Sequence, residues 1–209
     1  MPHNAFIWDL DGTLIDSYPA IVPSTVEICA GLGVDYSAEF VHDYVIRSSV
    51  RGLLKETAER LGLDPAALWA QYNVLCDSRI DRITAMPHAA EALHALCAAG
   101  CRHFVYTHRG ASSAVILERL GLAPYFTEVL TALSGFPRKP DPAAIHFLME
   151  KYGLDPETTY YVGDRSLDIE AAQNALIRSI LYLDPSSPGK PTGHEDYIIS
   201  DLMEIARLV

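Results

Sequence analysis

Two aspartates stand one residue apart at the end of an apolar run, in the segment FIWDLDGTLIDS (6–17). Asp9 and Asp11 are followed directly by Gly12 and Thr13. Two carboxylates this close repel each other, so a nearby cation is needed to stabilise them. Aspartate is also a competent nucleophile toward phosphorus, with which it forms an aspartyl-phosphate. The segment therefore indicates phosphoryl chemistry rather than turn formation alone.

Polar side chains follow three later apolar segments, and their types suit the same chemistry. They are Thr107, His108 and Arg109 after one segment, Arg138 and Lys139 in the loop RKPDP, and Gly163, Asp164 and Asp168 after another. In an open parallel sheet, ligands bind outside the carboxyl ends of the strands, near the point where strand order reverses. If the apolar segments are strands of one such sheet, these side chains meet at one edge.

Four carboxylates at one edge need counter-charges, which Mg²⁺ and the Lys139 ammonium would supply. We predict a metal site formed by Asp9, Asp11, Asp164 and Asp168. Close carboxylates do not all stay ionised without cations. Mg²⁺ prefers oxygen ligands and is commonly held by one or two carboxylates plus a substrate phosphate. Asp164 is the natural ligand, and Asp168 would hold a metal-bound water or Lys139.

Position in the predicted loops assigns catalytic roles to Asp9, Asp11, Thr107 and Lys139. Asp9, the last residue of its apolar segment, is the predicted nucleophile. Asp11 lies two residues on and leans to the same side in extended chain, so it would protonate the leaving alcohol and later deprotonate the attacking water. Thr107 can donate its hydroxyl to a phosphoryl oxygen, while Lys139 neutralises charge.

Three residues near these loops are predicted to contact the substrate. Gly12 frees the backbone to turn, so that N–H groups approach the phosphate closely. Thr13 stands next to Gly12, and His108 stands at the predicted sheet edge.

Alternating strand and helix patterns must position these side chains. The predicted short strands are 5–9, 102–107, 127–131, 159–164 and 178–183, with a weaker one at 197–200. The predicted helices between them are 89–99, 111–120, 142–152 and 166–175. Such alternation predicts an α/β fold with a doubly wound parallel sheet that is covered on both faces.

Residues 17–85 differ from the rest of the chain, because they hold no convincing strand and their apolar residues recur at helical spacing. We therefore predict a catalytic core formed by 1–16 and 86–209 and a helical insert at 17–85. Arg47, Arg51 and Lys55 are four residues apart, so one helix would place them on a common face. That face is either solvated or lets Arg47 or Arg51 reach a second anionic group of the substrate.

Composition excludes several classes of partner. The chain has 27 acidic and 16 basic side chains, a formal charge of −11, which disfavours nucleic acid and anionic membrane surfaces. No apolar run approaches the ~20 residues that span a bilayer, and the N-terminus has no secretory pattern. The four cysteines include no CxxC pair, so free thiols in a reducing cytoplasm are expected. A small phosphorylated metabolite is the expected partner.

DLDGT at 9–13, Thr107 at a strand end, Lys139 with Pro140, and GDRSLD at 163–168 resemble, in order, the four motifs of the haloacid dehalogenase-like hydrolases. The similarity is closest to the phosphoglycolate phosphatase-like branch, which carries a helical cap between its first two motifs. The resemblance implies a Rossmann-like core, a cap at 17–85 and Mg²⁺-dependent hydrolysis of phosphate monoesters. His108 departs from the asparagine that the family often has there.

Three other functions are alternatives under this resemblance. A sugar-phosphate mutase of the same fold typically has a cap-side histidine at the position of Ile21. Dehalogenases of the family lack the second aspartate, because halide departure needs no protonation, whereas Asp11 is present here. A non-catalytic phosphate-binding protein should have lost the nucleophile or a metal ligand, yet Asp9, Lys139 and Asp164 are all present.

Overall fold

The apolar segments form one parallel sheet in the computed structural model of the protein, which describes residues 4–185 and 189–207. The strands are β1 (Ala5–Trp8), β2 (Ile15–Asp16), β3 (Thr84–Ala85), β4 (Arg102–Tyr106), β5 (Phe126–Leu130), β6 (Thr159–Gly163), β7 (Arg178–Tyr182) and β8 (Tyr197–Ile199). Within the described residues, six of them pair in the order β5-β4-β1-β6-β7-β8, while β2 pairs with β3.

Strand order reverses at β1, which lies between β4 and β6. Ile7 of β1 is in register with Phe104 of β4 on one side and with Tyr161 of β6 on the other. Every residue of β1 and β6 is buried, as expected for strands covered by helices on both faces. The carboxyl end of β1 is therefore the switch point at which ligands bind in doubly wound sheets.

Eight α-helices accompany the strands within the described residues: α1 (Tyr18–Gly31), α2 (Ala38–Arg47), α3 (Val50–Leu61), α4 (Pro65–Asp77), α5 (Ala89–Ala98), α6 (Ser112–Arg119), α7 (Ala143–Tyr152) and α8 (Ser166–Asn174). On one face of the sheet, Ile7 and Phe104 pack in a core with Ile145 and Leu148 of α7 and Ala172 of α8. The predicted α/β fold is confirmed. None of the helices in the described part is long and apolar enough to cross a membrane.

The chain divides into two compact units, one of Met1–Asp16 with Ala85–Val209 and one of Ser17–Thr84. The first unit contains the six-stranded sheet. The second contains α1 to α4, whose contacts bury Val41 of α2, Leu53 and Leu54 of α3, and Tyr72 of α4.

The prediction that Arg47, Arg51 and Lys55 share one helix is wrong. Helix α2 ends at Arg47, and α3 begins only at Val50. Ser49 precedes α3 in an extended conformation, and its Oγ accepts a hydrogen bond from Gly52 N at 3.0 Å. Serine favours this capping position because its hydroxyl satisfies an otherwise unpaired N–H of the first turn, so the helix restarts here.

Candidate active site

The segment after β1 folds into a tight turn that begins at Asp9. Asp9 N donates to Val162 O of β6 at 2.8 Å, which holds the residue at the end of the sheet. The N–H groups of Leu14 and Ile15 both donate to Leu10 O at 3.0 Å. Gly12 has φ 83°, a left-handed conformation that glycine adopts without steric cost. The Asp-x-Asp-Gly-Thr order thus suits a tight turn that leads from β1 into β2.

Three carboxylates from two strand ends form a buried acidic cluster. One carboxylate oxygen from each of Asp9, Asp164 and Asp168 lies within 4.8 Å of the others. All three residues are buried. Lys139 lies against two of them, with its Nζ 2.9 Å from Asp9 Oδ1 and 2.6 Å from Asp168 Oδ1. Side chains that are far apart in the chain therefore meet beyond β1 and β6.

Two tyrosines enclose the Lys139 ammonium. Its Nζ donates to the Tyr161 hydroxyl at 3.0 Å and lies 5.3 and 5.5 Å from the ring centroids of Tyr161 and Tyr106. The Tyr161 hydroxyl in turn donates to Tyr106 O at 2.8 Å. Such aromatic faces attract a cation, so they hold the ammonium in place while the carboxylates neutralise it.

Glycine is required at position 163 for the cluster to form. A Cβ there would lie 2.3 Å from both Cβ and Cγ of Asp168. Any side chain at this position would displace the carboxylate that binds Lys139. Asp168 also accepts a hydrogen bond from Arg165 N at 3.2 Å, which fixes its second oxygen at the start of α8.

The electrostatics of the cluster favour a bound cation. Burial raises the pKa of Asp164 to about 7, and the nearby Asp168 and Asp9 add to the shift, although Arg165 and Lys139 oppose it. For Lys139, burial alone would lower the pKa, but Asp168 and Asp9 outweigh it and raise the pKa well above the usual value. Three buried carboxylates therefore share two fixed cations, Lys139 and Arg165, so the carboxylates outnumber the positive side chains.

An unsatisfied oxygen shows where a cation fits. Asp9 Oδ2 is buried and accepts no hydrogen bond from any residue that the structure describes, and its ion-pair partner, Arg165 Nη2, is 3.5 Å away. A buried carboxylate oxygen without a hydrogen bond is costly unless another positive charge completes its shell. The donor set consists of carboxylate oxygens, which are the ligands of hard divalent ions such as Mg²⁺. The residues present therefore fit the predicted metal.

Asp11 is placed differently from the other predicted metal ligands. Its carboxylate is not a member of the cluster found among the described residues. Instead it forms an ion pair with Arg109, whose Nη2 is 2.6 Å from Asp11 Oδ1. The four acids are thus divided into a group of three beside Lys139 and a single acid beside Arg109.

Thr107 and His108 follow β4 directly. Thr107 is buried, its N donates to Leu130 O at 3.0 Å, and its Oγ1 accepts from Arg109 N at 3.1 Å. His108 Nε2 accepts a hydrogen bond from Lys139 N at 2.8 Å. Burial, together with the charges of Lys139 and other cations, lowers the pKa of His108 to about 2, so the ring is a neutral acceptor. His108 therefore anchors the loop that carries the lysine.

The remaining residues predicted to contact the substrate lie in three places. Gly12 is in the turn after β1, and Thr13 is buried, with its hydroxyl donating to Asp164 Oδ1 at 3.2 Å. Arg47 and Arg51 belong to the helical unit. There Arg47 pairs with Asp43 at 3.3 Å, and the Arg51 guanidinium lies 5.8 Å from the centroid of the Trp69 ring. Substrate contact by these residues stays a prediction.

Sequence reasoning assigned no site role to Arg109, Arg165, Tyr106 or Tyr161. Arg165 directly follows Asp164, so a cation next to a required acid was the available signal for it. Arg109 follows Thr107 and His108 at the predicted sheet edge, but no acid adjoins it in sequence. Tyr106 and Tyr161 lie inside strands, where an aromatic residue ordinarily indicates core packing, so no pattern distinguished them.

Comparison with known proteins identifies the class. Residues 6–182 match the family model of the haloacid dehalogenase-like hydrolases. The chain belongs to this family. It is 31% identical over 189 residues to a phosphoglycolate phosphatase of Rhodobacter capsulatus, covering 85% of this chain and 83% of that protein. It is 29% identical over 214 residues to a phosphoglycolate phosphatase of Vibrio vulnificus strain YJ016, covering 97% and 94%.

Solved structures agree with the fold. A protein of Haemophilus somnus 129PT, described as a predicted phosphoglycolate phosphatase, superimposes with a TM-score of 0.85 at 24% identity, covering 98% of this chain and 97% of that one. CbbY of Rhodobacter sphaeroides, solved in complex with phosphate, has a TM-score of 0.80 at 19% identity, with 98% and 96% covered. The predicted family, its phosphoglycolate phosphatase-like branch and an enzyme of the phosphoric monoester hydrolase class are confirmed.

Proposed function

We propose that the protein is a Mg²⁺-dependent phosphatase that hydrolyses a small phosphate monoester through an aspartyl-phosphate on Asp9. The observation that carries the proposal is the buried Asp9 carboxylate, which pairs with Lys139 through Oδ1. Its Oδ2 accepts no hydrogen bond from the described residues and lies 3.5 Å from Arg165 Nη2. Such an oxygen is available to a metal or to phosphorus. The carboxylates of Asp164 and Asp168 beside it supply further ligands for the metal.

The proposed reaction has two steps that share the same carboxylates. In the first, a carboxylate oxygen of Asp9 forms a bond to phosphorus, the ester P–O bond breaks, and Asp11 transfers a proton to the leaving oxygen. In the second, Asp11 accepts a proton from a water that attacks the aspartyl-phosphate, which releases inorganic phosphate and restores Asp9. The proton count therefore balances over one turnover.

Positive charge is needed throughout, because a phosphate ester approaches an acidic site. Lys139 stays beside Asp9 and offsets charge on the transferring group. Bound Mg²⁺, held by Asp9, Asp164 and Asp168, would supply Lewis-acid stabilisation of the same group. A metal role for Asp11, a hydroxyl contact from Thr107 and phosphate contacts near Gly12 and Thr13 complete the proposal.

The substrate proposal rests on the relatives. Two proteins similar over most of the chain are phosphoglycolate phosphatases, so a small phosphorylated carboxylate is the substrate that we propose. We propose that residues 17–85 serve as the cap that sets specificity, with Arg47 or Arg51 as the contact for a second anionic group. A cytoplasmic location is part of the same proposal.

A panel of phosphate esters that includes phosphoglycolate, assayed with Mg²⁺, tests the function. We expect Asp9→Asn to lose turnover by about 10³-fold or more, the scale of nucleophile removal in other enzymes, while the protein stays folded. Asp77→Asn is the matched control, because Asp77 is exposed at the end of α4. Full activity in the Asp9→Asn protein would refute the covalent mechanism. A wild-type protein without activity on any ester would refute the function.

A further inference from the structure

Arg109 makes the closest contacts to the Asp11 carboxylate. Its Nε is 2.9 Å from Oδ1 and 3.2 Å from Oδ2, and its Nη2 is 2.6 Å from Oδ1. Two donors of one planar guanidinium therefore converge on Oδ1, and one of them, Nε, also makes the longer contact to Oδ2. This forked geometry fixes the plane of the acid as well as its position, which a single hydrogen bond does not do.

Arg109 is itself held firmly at the end of β4. Its N donates to Thr107 Oγ1 at 3.1 Å, and its O accepts from Ala132 N at 3.0 Å. Its side chain is 8% exposed, and Nη1 lies 3.5 Å from Ser112 Oγ. The arginine is therefore anchored by its own backbone, by burial and by Ser112, in addition to its contacts with Asp11.

Asp11, in contrast, lies in the turn after β1, with a side chain that is 23% exposed. In the described part of the chain, the hydrogen bonds to its carboxylate come from Arg109. A partly exposed aspartate without such a partner would occupy several rotamers. The more deeply buried side chain of the pair thus sets the orientation of the more exposed one.

We propose that Arg109 is a positioning residue, which holds the Asp11 carboxylate in the orientation from which it exchanges protons with the leaving group and the attacking water. The inference rests on the proposed function, because it assigns Arg109 to the acid–base step of that reaction. A fixed orientation of the Asp11 carboxylate matters in that step because proton transfer requires hydrogen-bond geometry between the acid and the reacting oxygen.

The proposal predicts which substrates an Arg109 variant hydrolyses more slowly. Departure of p-nitrophenol needs little protonation, whereas departure of an alkyl alcohol needs it strongly. We expect Arg109→Met to lower kcat about 10- to 100-fold for glycerol 2-phosphate and less than about 5-fold for p-nitrophenyl phosphate, with KM little changed. Arg109→Lys, which keeps the charge without the fork, should recover only part of the loss.

A double-mutant cycle with Asp11→Asn isolates the coupling. If Arg109 acts through Asp11, Arg109→Met should cause no further loss of kcat in the Asp11→Asn protein. Arg119→Met is the matched control, because Arg119 is an exposed arginine of α6. Thermal melting of each variant separates a loss of fold from a loss of rate, and Arg109→Lys keeps the test usable if Arg109→Met unfolds.

Several outcomes would overturn the inference. Equal losses of kcat in the two Asp11 backgrounds would mean that Arg109 acts independently of Asp11. A change in KM alone would assign Arg109 to substrate binding, and a gain in kcat would make the pair an inhibitory contact. An active wild type with an unaffected Arg109→Met variant rejects only this inference, whereas a wild type inactive on both esters rejects the proposed function with it.

Discussion

At the scale of single residues, the site is organised by which cation each acid meets. Lys139 forms ion pairs with Asp9 and Asp168, while Arg109 forms one with Asp11. Pairing of this kind lets one small site hold four acids, because each carboxylate either faces a fixed cation or is a ligand for a bound one. The lysine also depends on neutral groups, and this dependence can be measured.

The Tyr161→Phe variant tests how much the Tyr161 hydroxyl contributes to holding the Lys139 ammonium in place. The change keeps the ring but removes the hydroxyl that accepts from Lys139 Nζ and donates to Tyr106 O. We expect kcat to fall by about 3- to 10-fold because the ammonium loses one contact, and the free energy of unfolding to fall by about 1–2 kcal/mol. Steady-state kinetics and urea denaturation measure the two effects.

Tyr160→Phe is the control for this experiment. Tyr160 is the neighbouring residue of β6, is also buried, and stacks on Phe6 with centroids 5.2 Å apart. The Tyr160→Phe substitution should leave kcat unchanged. Equal kcat values for Tyr161→Phe and the wild type would mean that the carboxylates and the rings alone hold the lysine.

At the scale of elements, the parallel strands position the residues of the site. The ends of β1, β4 and β6 are neighbours because these strands are adjacent in the sheet, so the residues that follow them converge. The connection from α8 to β7 belongs to the same arrangement, since α8 carries Asp168 in its first turn. That connection contains a residue with an unfavourable backbone conformation.

Leu176, which follows α8, has φ 57° and a side chain that is 82% exposed. Left-handed backbone costs a non-glycine residue roughly 1–2 kcal/mol, and glycine avoids this cost, although it loses more entropy on folding. We expect Leu176→Gly to raise the free energy of unfolding by about 0.5–1 kcal/mol in urea denaturation.

Leu176→Ala separates the backbone effect from the loss of an exposed apolar side chain. Alanine removes the same apolar surface but keeps the steric cost of the left-handed conformation, so it should stabilise little or not at all. If alanine and glycine stabilise the protein equally, the conformation of residue 176 is not the source of the effect.

At the scale of the whole molecule, excess negative charge makes a bound cation a stabilising factor. The chain carries a formal charge of −11, and the carboxylates of Asp9, Asp164 and Asp168 are buried together in the unit that contains the six-stranded sheet. A ligand that binds only the folded state stabilises it in proportion to the logarithm of its concentration, by about 2.7 kcal/mol at 100 times Kd. The protein should therefore report Mg²⁺ binding without any substrate.

We expect Mg²⁺ to raise Tm by several degrees in a thermal melt and EDTA to reverse the shift. The wild type treated with EDTA should also lose phosphatase activity until Mg²⁺ is restored. Asp164→Asn should abolish the Mg²⁺-dependent shift, and Asp77→Asn should keep it. An equal shift from NaCl at matched ionic strength would show that general screening, not a metal site, stabilises the fold.

Much of the fold was predictable because its causes are local in sequence. The strands at 5–9, 102–107 and 159–164 agree with β1, β4 and β6 to within a residue at each end, since strands covered on both faces are predominantly apolar. The helix expected to carry Arg47 and Arg51 together was wrong, because the spacing argument ignored the capping tendency of Ser49.

The sequence by itself determined the strand segments, the acids that follow them and the family to which the chain belongs. Only the tertiary structure decided which cation each acid meets. Asp11 pairs with Arg109 across 98 positions, and Asp168 pairs with Lys139 across 29. Ion pairs depend on distance in space and on burial, which a linear pattern does not record until the strands are ordered in the sheet.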